Sequence, residues 1–263
     1  MKRTIALILA VLMLAFCMAG CAGKEDKGEA RTFTVGFDAE FPPFGFIAED
    51  GSYDGFDLAV AEEVCKRLGW TFKAQPIAWS AKDAELSSGN IDCIWNGFTL
   101  QGREDLYAWT PAYYDNSIVV VVKADSGIET LADLAGKTVI TQAGSSGVTA
   151  LDGNAELKAS FKELLESANY NNCYMELDMG TVDAVVSDVG VAAYNIAGKE
   201  ANYRILTETV ASETYGIGFL KGNDALATEV WNTVKAIAAD GTLATIADKY
   251  VSFGLVKESI CVE

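Results

Sequence analysis

The chain has 263 residues, 37 of them acidic against 20 basic, a formal net charge of −17, and no histidine. Such acidity leaves no basic surface to neutralise phosphates, which argues against nucleic acid as a partner. The missing imidazole removes Ser-His-Asp and Cys-His catalysis and most zinc sites; with no P-loop signature either, neither a metal nor a cofactor is expected.

Lys2 and Arg3 precede an apolar run over residues 5–19, too short to span a bilayer comfortably. A basic start, a short apolar core and the small residues Ala19 and Gly20 predict a signal peptide over residues 1–20. Met18-Ala19-Gly20-Cys21 resembles the bacterial lipobox, which implies that Cys21 is lipidated and anchors the chain to a membrane. An ordinary signal peptide followed by a chance cysteine, or an uncleaved anchor, is the plainer alternative. Residues 21–30, charged and poor in apolar side chains, predict a flexible tether.

Beyond the tether, residues 32–37 alternate as a strand and residues 38–46 form a loop with two prolines. Residues 57–68 show helical periodicity that Gly69 stops. Residues 71–77 predict a strand, 81–88 a short helix and 91–95 a buried strand. This β-α-β-α-β order predicts a parallel sheet with right-handed crossovers. The β-branched run at 117–123 opens a second series. It continues with a helical turn at 131–137, a strand at 138–141 and an amphipathic helix at 155–167. A strand at 182–186, a helix at 189–196 and a strand at 203–206 follow. Residues 215–219 predict an extended crossover, and helices at 224–239 and 243–250 close the chain.

Two of these strands end alike. Ile91 to Trp95 runs into Asn96-Gly97-Phe98-Thr99 and reaches Arg103, and Val182 to Val186 runs into Ser187 and Asp188. Ligands of open α/β sheets bind outside the carboxyl ends of the strands. One half therefore offers a guanidinium and the other a carboxylate. Arg takes an α-carboxylate through two parallel hydrogen bonds, and Asp takes an α-ammonium. The pair is binding logic for a free amino acid.

The same residues, with Phe41-Pro42-Pro43-Phe44-Gly45-Phe46, Gly55-Phe56-Asp57-Leu58-Ala59 and Gln142-Ala143-Gly144-Ser145-Ser146, resemble the polar amino-acid-binding proteins of bacterial ABC transporters. The resemblance runs from about Arg31 to Leu255. It implies a periplasmic-binding-protein-like α/β fold, two β/α lobes joined by a two-strand hinge. Lobe one is expected at 31–115 plus 215–263 and lobe two at 116–214, closing around the ligand. It implies a monomeric, exported receptor, lipid-anchored at the outer face of the cytoplasmic membrane or periplasmic, that hands an amino acid to a transporter permease. By the same correspondence Arg103 grips the carboxylate, helped by Thr99 and Gly97 and, from the other lobe, by Ser146 and Ser145. Asp188 binds the ammonium. Asp38, Phe41 and Trp79 line the side-chain end, with Gln142 a further contact.

Structural readings stand beside these. Arg103 could pair with Glu104 or Asp105 at the surface, Asp188 and the serines could cap helices, and Phe41 and Trp79 could be core. Asp57 reads as a helix-capping residue. Cys65, Cys93, Cys173 and Cys261 are expected as buried thiols acting as small hydrophobes, with disulfide pairing open. Two other functions remain: a dehydratase-type enzyme on the same fold, using Asp38, Glu40 or Asp188 as a general acid, and a ligand-sensing lipoprotein feeding a sensor. With no Lys or Arg expected at the side-chain end, a polar uncharged or basic ligand is predicted, among glutamine, arginine, lysine and cystine.

Overall fold

Strand β1 (Thr32–Phe37) is the first element in a computed structural model whose described residues are 30–262. The signal peptide, Cys21 and nearly all of the tether lie outside the described residues. Next come β2 (Glu40–Phe41), β3 (Gly45–Ile47) and β4 (Tyr53–Asp54), which pair antiparallel as a small separate sheet. The expected loop at 38–46 thus carries two short strands, because the Pro42-Pro43 turn folds Phe41 back opposite Gly45.

Helix α1 (Phe56–Leu68) buries Phe56, Leu58, Val60, Ala61, Val64 and Cys65, a stripe at helical spacing. Gly69 ends it in the left-handed conformation, φ 70°, which suits a residue without Cβ. Then follow β5 (Thr71–Pro76), a 3-10 turn at Trp79–Ala81, and α2 (Lys82–Ser87). Strand β6 (Cys93–Thr99) is longer than expected. Its seven residues are all buried, and residues 96–99, beyond the expected end of the strand at Trp95, continue it and pair with a later strand.

β7 (Tyr107–Trp109) and β8 (Tyr114–Lys123) come next, then a 3-10 turn at Leu131–Leu134 and β9 (Thr138–Gln142). The helix expected at 155–167 is corrected. The segment is preceded by α3 (Ser146–Gly153), holds only α4 (Ala155–Ser160), and finishes as β10 (Glu163–Ser167). Parallel pairing with β9 over five residues overrides the helical spacing of Leu157, Phe161, Leu164 and Leu165. Helix α5 (Tyr170–Met179), unforeseen, is capped by Asn169 and stopped by Gly180. The chain closes with β11 (Ala184–Asp188), α6 (Val189–Ile196), β12 (Tyr203–Ile205), β13 (Ala211–Leu220), α7 (Asp224–Ala239) and α8 (Thr242–Asp248).

The main sheet runs β10-β9-β11-β8-β13-β6-β1-β5. Each flank is parallel: β5-β1-β6 on one side and β10-β9-β11 on the other. The ten-residue strands β8 and β13 join them, antiparallel to each other from Tyr114–Tyr215 to Ile118–Ala211. Beyond that stretch β8 continues against β11, and β13 against β6. Ile118, Val120, Val121 and Val122 are fully buried; each such side chain stabilises the sheet by about 1.5–3 kcal/mol. Among the described residues no helix is long and apolar enough to cross a membrane.

Candidate functional site

Arg103 lies just past the end of β6, beyond a turn at Gly102 with φ 78°. The side chain is half-buried. Its Nη1 donates to Thr99 O at 3.2 Å and its Nη2 to Gly144 O at 3.5 Å, while Cζ sits 5.1 Å from the Phe98 ring centre. Its own carbonyl accepts from Trp109 Nε1 at 3.0 Å. Arg103 forms no ion pair among the described residues, so the surface pairing with Glu104 or Asp105 is not made. Burial lowers its pKa, and the negative charges of Glu213 and Asp188 act against that shift.

Asp188 ends β11 and is 1% exposed. It occupies the cap position of α6, yet its side chain does not cap the helix. Oδ1 instead accepts from Asn116 Nδ2 at 2.9 Å and from Tyr215 OH at 2.5 Å. Asn116 Nδ2 also donates to Glu213 Oε1 at 2.7 Å, and Ser146 Oγ reaches the same oxygen at 3.4 Å. Burial raises the pKa of both carboxyls, and the charge of Asp188 raises that of Glu213 further.

Asn116, Glu213 and Tyr215 were not anticipated. A signal existed: Glu213 and Tyr215 are two apart on one strand and share a face, and that face is buried in β13.

The turn from β9 into α3 brings the serines to the same place. Ser145 is the helix cap, with Oγ accepting from Val148 N at 3.4 Å, so its capping role is real. Ser146 begins the helix and points its hydroxyl at Glu213. Ser146, Thr99, Gln101, Gly102 and Glu213 line a hollow of about 130 Å³.

Gly97 is corrected as a donor to the ligand. Its N–H donates to Asp57 Oδ2 at 2.7 Å, and the same oxygen accepts from Tyr113 OH at 2.7 Å. Asp57 therefore braces the floor of the site and caps nothing; α1 has Gly55 at its cap position. Gly97 itself holds φ 55°, and a Cβ there would lie 2.7 Å from the Phe41 ring.

At the side-chain end, Gln142 Nε2 donates to Asp38 Oδ2 at 2.5 Å and to Ala168 O at 3.2 Å. These two residues join the two flanks of the sheet and satisfy each other. Burial raises the pKa of Asp38. Phe41 packs on Phe44 and Tyr170, whereas Trp79 packs edge-on against Phe98. The two rings lie in different packing clusters.

The expectation of no cation at this end is also corrected. Lys82 is 6% exposed, with Nζ 5.2 Å from the Trp79 ring centre. It bonds only to the carbonyls of Trp79 and Gly144, each at 3.5 Å. Burial lowers its pKa, and Arg103 lowers it further. Its position three residues after Trp79, one helical turn away, was the available clue.

Residues 33–253 match the sequence profile of bacterial extracellular solute-binding proteins, family 3. The chain is 27% identical over 260 residues to the L-cystine-binding protein TcyJ of Escherichia coli, covering 96% of this chain and 94% of that one. It is 27% identical over 272 residues to the ABC transporter glutamine-binding protein GlnH of Bacillus subtilis, covering 95% and 98%. Among solved structures, the substrate-binding protein of an ABC uptake transporter from Streptococcus pneumoniae, with bound histidine, superposes with a TM-score of 0.81. That match is 33% identical and covers 86% of this chain and 94% of that one.

Proposed function

The chain belongs to the bacterial extracellular solute-binding proteins, family 3, and we propose that it captures a free amino acid in the cleft between its two flanks and delivers it to an ABC importer. The observation that carries this is a run of contacts across the site: Arg103 reaches Thr99 O and Gly144 O, Ser146 beyond that turn bonds Glu213, and Asn116 ties Glu213 to the buried carboxylate of Asp188. A zwitterion placed between Arg103 and Asp188 satisfies both charges at once. Thr99 and Ser146, on opposite sides of the same hollow, complete the carboxylate end.

Lobe one is residues 31–115 plus 215–263 and lobe two is 116–214. The crossings fall where β8 and β13 pair with each other, at Asp115–Thr214 and Tyr114–Tyr215. A ligand touching both lobes favours the closed state by its differential affinity for that state. The receptor is monomeric and extracytoplasmic, and lipidated Cys21 holds it at the membrane. It is a binder and not an enzyme, in keeping with the relatives it matches.

At the side-chain end Asp38 is bonded to Gln142, and the ammonium of Lys82 lies over the Trp79 ring, beside Gly144 O. A basic side chain would meet Lys82 and an acidic one would meet Asp38, and burying like charges together is costly. An amide or a second zwitterion offers donors and acceptors together. Glutamine and cystine are therefore the favoured ligands.

A thermal-shift panel of the twenty standard amino acids with ornithine, citrulline and cystine tests this. A true ligand at about a hundredfold excess over its Kd should stabilise by roughly 2.7 kcal/mol. No shift from any member would defeat the receptor reading.

A further inference from the structure

Glu213 stands directly opposite Asn116 in the β8–β13 ladder, at the point where the chain crosses between the two flanks. Its carboxyl is 6% exposed, Asn116 is 5% exposed and Asp188 is 1% exposed. One amide nitrogen serves both acids, at 2.7 Å to Glu213 Oε1 and 2.9 Å to Asp188 Oδ1. Neither carboxylate makes an ion pair among the described residues. Asn116 Oδ1, buried in the same cluster, accepts no hydrogen bond. Tyr215 OH and Ser146 Oγ add a donor each, but the cluster keeps an open acceptor and has no bonded positive charge. An ammonium supplies both the donor and the charge, with three N–H groups.

We propose that Glu213, with Asp188 and Asn116 Oδ1, forms the ammonium subsite, and that capture of the zwitterion expels a proton that the two carboxyls share in the empty cleft. This rests on the amino-acid reading above and adds to it a residue on the crossing strand and a coupled proton. The chemistry balances: the ligand keeps its ammonium, the shared proton passes to solvent, and one positive charge replaces another. Two carboxylates so close, away from water, cannot both ionise cheaply, and such a pair titrates as a unit.

The groups facing the pair leave the proton with it. Tyr215 on β13 and Tyr170 on α5 are held well above their ordinary range by burial and stay neutral. Ser146 on α3 and Asn116 on β8 do not titrate in the working range. Arg103 remains cationic, and Asp83 and Tyr107 act beyond it. Asp115, the neighbouring acid on β8, is exposed.

The test is calorimetry with the tightest amino acid of the thermal-shift panel, in two buffers of different ionisation enthalpy at about pH 7. The wild type should release a measurable fraction of a proton, up to one, on binding. Its affinity should rise with pH, by at most about tenfold per unit, up to about pH 8. Glu213→Gln should stay folded by circular dichroism, bind more weakly, and lose both the proton release and most of the pH slope. A structural role for Glu213 would weaken binding and leave the proton count unchanged. Binding with no proton exchange in the wild type, or with the same exchange in Glu213→Gln, overturns the inference while leaving the receptor reading intact. Absence of any binder overturns both.

Discussion

Arg103 and Asp188 were legible in the sequence because each follows a buried strand and carries a charge that such a position rarely tolerates without purpose. Substituting either strips a desolvated partner from the ligand. Arg103→Ala and Asp188→Ala should each weaken amino-acid binding by roughly 2–5 kcal/mol by calorimetry, with folding retained. Lys82 was not legible. A lysine in a short helix ordinarily faces water, and only the stacking of α2 under Trp79 buries it. Its ammonium sets a barrier to cationic side chains. Lys82→Met should improve arginine relative to glutamine by roughly tenfold, about 1.4 kcal/mol, measured as a ratio of Kd values. An unchanged ratio would place the ligand side chain elsewhere. The serines divide as their local chemistry dictates: Ser145 caps a helix, and Ser146 turns toward Glu213.

Elements with a strong period and a clear stop were readable, as α1 with its buried stripe and Gly69 shows. The strand β10 was not, because its leucines continue the spacing of α4 and only the exposed edge of β9 decides the outcome. Helix α5 had an Asn cap, a Gly stop and a stripe at helical spacing, Tyr170, Cys173, Tyr174 and Leu177, but tyrosine and cysteine carry most of that stripe and read less plainly as core than leucine or valine would. At the entry to α1, Gly55 adopts φ 144°, and a Cβ there would stand 2.2 Å from Phe44 O. No side-chain movement relieves a clash with backbone. Gly55→Ala should therefore cost at least about 2 kcal/mol of stability, read from the urea midpoint at unchanged m-value.

At the scale of the molecule, the alternation of strands and helices predicted two β/α series, but not the order in which their strands pair. That order depends on long contacts such as Thr99 against Tyr215, which no local pattern announces. Burial of acids also acts at this scale. Asp57, wholly enclosed by Tyr113 and Gly97, has its pKa pushed up to about 7, chiefly by desolvation. A raised folded-state value means the native protein holds a proton that the unfolded chain has released. The contribution is full below about pH 4 and is lost as pH rises through about 7. The unliganded protein should accordingly lose stability between about pH 4 and 7, by up to about 4 kcal/mol from this group. Urea unfolding of wild type against Asp57→Asn isolates it: the difference should vary with pH, and a constant difference would refute the assignment. The indoles beside the guanidinium carry one more consequence. Trp109 hydrogen-bonds the carbonyl of Arg103, and Trp79 lies between Phe98 and the Lys82 ammonium. A carboxylate arriving at Arg103, and a polar side chain arriving beside Lys82, change the electric field across the two rings. Occupancy is thereby written into the protein's own ultraviolet emission, and the fraction of receptors carrying cargo can be followed by light without any attached dye.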